Sequence, residues 1–303
     1  MTGWLVNDQL STIPGTTTFW HRLLNAIPGL IDKTTGTYAG LAEVIEAEAA
    51  VNPPDYIIRN AAFFRALDVP CPVISLVQDI LGPYHLPFVR PNLIESCCAS
   101  RLVVFNTEYT RSEYPELANA SYRIIPIGVD PSIFKPGPVD PEIPSDAVLW
   151  VGSGHRVKGF DLARKLAAES ARPWIFVMKD EAEVPEAALV FRSINQDHLA
   201  LLARSCAVGV CTSQQETQHL AGIEMGLCGL PLVTTNVGVY HARPAGAWGE
   251  VVDRDWHSVI DDVAGLPRGE VSRYWLDEGF GLDNCMSMWR TTVQSLEVEH
   301  VGR

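Results

Sequence analysis

The chain has 303 residues, 47% hydrophobic and 19% charged, which suits a globular protein long enough for two domains of about 150 residues each. Its net charge of −13, from 23 basic and 36 acidic residues, argues against a nonspecific polyanion binder; a small basic cleft and a nucleic-acid acceptor stay open. No stretch reaches the ~20 apolar residues of a membrane span, no secretory signal pattern opens the chain, and seven cysteines without a CxxC pair read as reduced thiols of a cytoplasmic protein rather than as a metal or disulfide site.

In chain order, GWLV at 3–6 predicts a first strand running into a loop over 7–18, which holds Pro14, Gly15 and the threonine run Thr16, Thr17 and Thr18. A helix is expected over 19–26 and another over 39–50, with buried strands at 55–59 and 72–77. The second of these strands ends at Gln78 and Asp79, and His85 follows in a proline-rich loop. Helix at 95–99, strand at 101–106 and a helix opening at Thr107 complete the first half. Proline density then peaks between 126 and 144, as expected of a stiff connection between domains, and places the boundary near Gly137: 1–137, then 138–303.

The second half begins with strand 148–151 and the loop GSGHRVKG at 152–159, which feeds a helix over 160–170. That loop lacks the ending of a P-loop and the third glycine of a GxGxxG turn. Instead it gathers Gly152, Ser153, His155, Arg156 and Lys158, and cations with free amides suit a diphosphate. Strands are expected at 174–178 and 189–192, the latter followed by Ser193 and Ile194, then a helix over 197–206. The most informative stretch is 208–240, read as strand 208–211, polar loop 212–215, helix 216–227, a helix-ending Gly229 and a second strand opened by Pro231. Its Glu216 and Glu224 lie eight apart, about 2.2 turns and roughly 12 Å along such a helix, too far to share a proton but well placed to hold two ends of one ligand. A short strand at 251–253 and helices over 256–264 and 282–296 end the chain.

The Glu216–x7–Glu224 pair, followed by Met225 and the CGLPLV run at 228–233, resembles the signature of retaining GT-B glycosyltransferases of family 4. RIIPIGVDPSIFKP at 123–136 resembles the segment closing that family's N-terminal domain, and VLWVGSGHRVKGFDL at 148–162 the first strand and phosphate loop of its C-terminal domain. The resemblance implies an α/β GT-B fold: two Rossmann-like domains facing each other across a cleft, with the last helix crossing back to the N-terminal domain. It implies transfer of a hexosyl group from a UDP- or GDP-sugar to an unknown acceptor hydroxyl with retention, no cofactor and no metal site. Lys158 falls at the family's phosphate lysine, and Arg156 stands in for its arginine, whose position is Ser153 here. Glu216 would hold donor sugar hydroxyls and Glu224 the ribose, with Ser193 and Ile194 at the nucleobase. Thr217, Gln218, His219 and Leu220 replace the family's glycine–phenylalanine–glycine–leucine turn beside the donor sugar, and Gln78 stands where relatives carry a histidine. Gly15, Thr16, Gln78, Asp79 and His85 are the acceptor-side expectations. The altered turn leaves two rivals open: a non-catalytic GT-B binding or partner protein, and a nucleotide-sugar epimerase or hydrolase.

Overall fold

The structure is a computed structural model describing residues 1–7, 14–33, 40–60, 65–81, 87–251 and 254–300. Its chain divides into two compact units, Met1–Gly128 with Asp283–Arg303, and Val129–Leu282. The division falls inside the proline-dense stretch at Gly128 rather than near Gly137, and the last helix groups with the first unit.

The first unit runs β1 (Gly3–Asn7), α1 (Pro14–Ala26), β2 (Leu30–Asp32), α2 (Leu41–Val51), β3 (Tyr56–Asn60), β4 (Val73–Val77), α3 (Val89–Ala99), β5 (Leu102–Phe105), α4 (Glu108–Ser112) and β6 (Tyr122–Ile124). The strands form one parallel sheet ordered β2-β1-β3-β4-β5-β6. Residues 56–60, 73–77 and 102–105 are buried throughout, as in parallel strands with both faces covered, and only Arg59, Asn60 and Ser75 interrupt their apolar runs. One face packs Trp4, Val6 and Ile57 under Leu41, Ile45 and Ala49 of α2, and Val77, Val103 and Phe105 against Val89, Leu93 and Cys97 of α3.

The second unit runs β7 (Val148–Val151), α5 (Phe160–Glu169), β8 (Trp174–Met178), β9 (Leu189–Arg192), α6 (Gln196–Ser205), β10 (Val208–Cys211), α7 (Leu220–Leu227), β11 (Leu232–Thr234), β12 (Trp248–Glu250), α8 (Trp256–Ala264) and α9 (Arg268–Asp277); α10 (Leu282–His300) ends the chain. Its sheet is again parallel and six-stranded, ordered β12-β11-β10-β7-β8-β9. The core on one face is aromatic: Trp150 lies 5.6 Å from Phe160 and 5.4 Å from Phe176. Among the described residues no helix is long and apolar enough to cross a membrane, and all seven cysteines are unbridged.

Several boundaries differ from expectation. Helix α1 begins at Pro14 rather than at 19, because proline suits the first helical position and the threonines after it hide the helix from propensity. Gly15 and Thr16 are therefore helical backbone and not loop. Helix α3 begins at Val89, with Pro91 tolerated in its first turn. Helix α7 begins at Leu220, not Glu216, because His219 is left-handed at φ 68° and stops the helix from extending backward. The last short strand is Trp248–Glu250, not 251–253; residues 252 and 253 lie outside the described residues, as does His85. Strands β2 and β6, at three residues each, and helix α9 have no counterpart in the expectations.

Candidate functional site

In the second sheet the connections run from β7 outward through β8 and β9, then return to the other side of β7 for β10, β11 and β12. Strands β7 and β10 are thus neighbours at which the winding reverses, and the crevice outside their carboxyl ends is where open parallel sheets take ligands. Two loops leave that crevice, 152–159 after β7 and 212–219 after β10. They are stitched together. The Gln214 amide donates to the Val157 carbonyl at 2.8 Å, the Thr212 hydroxyl donates to the Lys158 carbonyl at 3.0 Å, and the Trp150 indole donates to Thr212 Oγ1 at 3.0 Å.

Across this seam Lys158 Nζ donates to both carboxylate oxygens of Glu216, at 2.7 and 2.9 Å. The Ser213 hydroxyl donates to the same carboxylate at 2.7 Å. Glu216 is 8% exposed, whereas 37% of the Lys158 side chain meets solvent. Burial pulls the Glu216 pKa upward, but Lys158, His219 and Ser213 together outweigh it and hold the carboxylate below its usual range. Lys158 itself is set by a one-turn 3-10 segment, 156–158, capped by His155 Nδ1 accepting from the Val157 amide at 3.3 Å. That turn closes on Gly159, left-handed at φ 64°. Gly154 is anchored from the neighbouring loop, its amide donating to Asp180 Oδ2 at 2.7 Å. Ser153 is half-buried in the same loop, and Gly152 lies against the Trp150 ring, which a Cβ there would meet at 2.6 Å. Arg156 and His155 are exposed.

The segment 216–219 is braced from beyond β11. The Val239 amide donates to the Gln218 carbonyl at 3.2 Å, and His219 Nδ1 is 2.6 Å from the Tyr240 hydroxyl. A Cβ on Gly222 would come within 1.9 Å of that hydroxyl, so the glycine makes the contact possible. Tyr240 in turn packs 5.4 Å from Trp248 and 6.1 Å from Trp275. Leu220 opens α7 and is half-buried against the core, Thr217 is half-buried, and Gln218 is 1% exposed. Glu224 is half-buried one turn into α7, while Glu216 sits in the loop before it, so the two carboxylates do not share one rigid helix. At the end of β9, Ser193 is exposed and left-handed at φ 53°, and Ile194 turns back into the core. Ser193, just past β9, and His219, just before α7, are both non-glycine residues in a sparsely allowed region, of the kind in which backbone strain collects at functional sites.

Burial pushes the His219 pKa down to about 4 against the pull of Glu216, so the ring is neutral at pH 7. The folded protein therefore binds fewer protons than the unfolded chain below pH 6.5, and stability falls as pH drops from 6.5 toward 4. At pH 5 this histidine alone is expected to cost about 2 kcal/mol relative to pH 7. Denaturant unfolding at both pH values should show that loss in the parent and a flatter dependence in His219→Gln.

One group among the described residues offers metal-ligand geometry: Cys211, Glu216 and His219, each buried, with one donor atom apiece within 4.8 Å of the others. The donors are otherwise engaged. Burial pushes the Cys211 thiol up to about 12, Lys158 places an ammonium on Glu216, and Tyr240 occupies His219 Nδ1. A cation would have to displace the ammonium and take the thiol proton, so the residues fit a metal poorly.

Sequence reasoning passed over Ser213, Asp180 and Tyr240. Asp180 carried a visible signal, a carboxylate just past the apolar strand at 174–178; Tyr240 carried none, since its contact depends on the fold of 237–240. In the first unit, Gln78 is 7% exposed at the end of β4. Asp79 is half-buried, its carbonyl accepting from the Tyr114 hydroxyl at 2.7 Å.

No protein-family profile and no curated protein sequence matches this chain. Solved structures do. Sucrose-phosphate synthase from Thermosynechococcus elongatus superposes with a TM-score of 0.78 at 13% identity, covering 99% of this chain and 100% of that one. The fold is GT-B. Anabaena Alr3699/HepE, solved with UDP and glucose, superposes at 0.75 and 13% identity over 97% of this chain and all of its own. AviGT4, a glycosyltransferase of avilamycin A biosynthesis, superposes at 0.64 and 15% identity over 100% of this chain and 99% of its own. At such identities the GT-B likeness speaks for architecture, two Rossmann-like domains each built on a parallel sheet.

Proposed function

We propose that the protein is a glycosyltransferase that moves a hexosyl group from a nucleotide-diphosphate sugar, UDP- or GDP-linked, to an acceptor hydroxyl with retention at the anomeric carbon. The observation that carries this reading is the Lys158–Glu216 pair, which joins two ligand-binding loops at the winding reversal of the second sheet. In this reading the donor's C1–O bond breaks, the diphosphate leaves with its electrons, and the acceptor oxygen bonds to C1 from the same face. The acceptor proton passes to an oxygen of the departing diphosphate. The chain's residues position and neutralise. Lys158 and exposed Arg156 meet the growing charge on the diphosphate, with the Ser153 amide beside them, since the Gly152 and Gly154 amides are held by Val177 and Asp180. Glu216 accepts from sugar hydroxyls, and Glu224 binds the ribose. The structures of HepE with UDP and with UDP-glucose support a uridine nucleotide as the first donor to try. The engaged donors of the Cys211 cluster support chemistry without a resident metal, so EDTA is expected to leave transfer unchanged.

The test is a thermal-shift panel of UDP, GDP, UDP-glucose and GDP-mannose. A nucleotide at a hundredfold excess over its Kd is expected to raise Tm by about 5 °C, and Glu224→Gln to shrink that shift. A panel with no shift removes the nucleotide site from the second unit. A shift without turnover in any acceptor mixture points to a binding protein instead.

A further inference from the structure

The first sheet has its own winding reversal, between β1 and β3, and a row of uncharged amides stands at its carboxyl edge. Asn7 ends β1 and pairs in register with Asn60, which ends β3. Asn60 is in register with Leu76, and Leu76 with Val104. Gln78 and Asn106 each lie two residues further on, one past the ends of β4 and β5, so alternation carried one residue beyond the strands brings all four amides to one face. The row is internally linked at one end, where Asn60 Nδ2 donates to Asn7 Oδ1 at 3.5 Å. At the other end it is unsatisfied. Gln78 is 7% exposed and Asn106 is 1% exposed, yet neither the nitrogen nor the oxygen of either amide has a hydrogen-bond partner.

Buried amides with all polar atoms orphaned destabilise a fold, because they lose water and gain nothing in exchange. Two side by side at a ligand-binding edge call for a partner from outside the chain. The chemistry of that partner is narrow. An amide offers donor and acceptor together, the match for a hydroxyl, which both donates and accepts. No lysine or arginine occurs in 7–13, 60–64, 78–86 or 106–110, the segments leaving these strands. Three arginines of the first unit are engaged: Arg59 bonds the Arg65 carbonyl at 2.9 Å, Arg65 bonds Glu46 at 2.8 Å, and Arg90 bonds Glu116 at 3.0 Å. Among the described residues that end these strands no cation stands ready for a phosphate or carboxylate, in contrast to the cationic loop around Lys158.

We propose that Gln78 and Asn106, with Asn60 and Asn7 beside them, form a binding site for a neutral polyhydroxylated ligand, an unphosphorylated carbohydrate, at the carboxyl edge of the first sheet. Its meaning as an acceptor site rests on the glycosyltransferase reading; the binding itself does not.

Two readouts on the full chain test it, with Gln78→Met and Asn106→Leu as near-isosteric apolar variants. Saturation-transfer NMR is run with methyl α-glucoside, methyl α-mannoside and methyl α-galactoside, against glucose 6-phosphate as the charged counterpart. The parent is expected to bind at least one neutral glycoside and to prefer it to the phosphate, and each variant to weaken that binding by about tenfold or more. Each variant should also melt higher than the parent by about 2–4 °C without ligand, since it removes an orphaned amide. A structural role would move Tm the other way. The proposal is overturned by a parent that binds none of the glycosides or prefers the phosphate, by variants that bind as the parent does, or by an unchanged or lower Tm. The UDP shift of the parent reports the second unit separately, so loss of that signal with glycoside binding intact would sink the glycosyltransferase reading alone.

Discussion

Replacing Lys158 by methionine is expected to lower transfer at least a hundredfold and to destabilise the second unit as well. The two effects have different origins. Transfer suffers because a positioned cation facing a developing diphosphate charge contributes on the scale of 10²–10³ in rate. Stability suffers because Glu216, 8% exposed, keeps its charge while losing a two-point contact at 2.7 and 2.9 Å. Removing one partner of a buried pair typically costs 3–5 kcal/mol. Lys158 is 37% exposed, so water takes over part of its role and a loss of about 2–3 kcal/mol is expected. Glu216→Gln separates the effects. The amide still accepts from Lys158 and Ser213, so the fold should lose little, while transfer should again fall at least a hundredfold. Combining the two changes should restore most of the stability and none of the activity. Single-turnover transfer and urea unfolding of the three variants measure both quantities. If Lys158→Met turns over at the parent rate, the pair is an internal ion pair and not a donor contact.

The place of this pair was legible in the sequence because its residues lie on loops after strongly apolar strands. A run such as VLWV or VGVC announces a buried strand, and the residues just past a buried parallel strand stand at its carboxyl end. Lys158, Glu216, Ser193 and Gln78 were all reachable in that way. The start of α7 was not. Glu216, Gln218 and Leu220 are respectable helix formers, and nothing local says that His219 will be left-handed. That conformation is imposed from outside, by Tyr240 gripping the His219 ring at 2.6 Å and Val239 holding the Gln218 carbonyl at 3.2 Å. The short edge strands β2 and β6 escaped for a related reason. Three residues show no periodicity, and each becomes a strand only because a longer neighbour offers it a ladder. The unsatisfied amides of the first sheet fall between these cases: Gln78 could be placed at a strand end, but its lack of a partner is a property of packing alone.

Gly159→Ala is expected to be the most damaging single-methyl change in the second unit. The residue is left-handed at φ 64°, a region that costs a side chain about 1–3 kcal/mol. The added Cβ would also fall 1.9 Å from the Thr212 carbonyl oxygen and 2.7 Å from its carbon. Those are backbone atoms of the facing loop, with no rotamer to turn away, and overpacking of this kind adds about 1–3 kcal/mol more. Together the two effects predict a loss of about 2–6 kcal/mol. Function suffers through the groups that the two loops carry. Pushing Thr212 away from residue 159 stretches the seam that sets Lys158 against Glu216, and a displacement near 1 Å at positioned groups costs about a hundredfold in rate. Gly269→Ala supplies the contrast. Its Cβ would meet nothing within 4 Å on the second residue of α9, and the change is expected to be neutral or to stabilise by about 0.4–1 kcal/mol through the unfolded chain. Equal melting temperatures for the two variants would mean that the loops yield without cost, and that the Lys158–Glu216 geometry is not fixed by their contact.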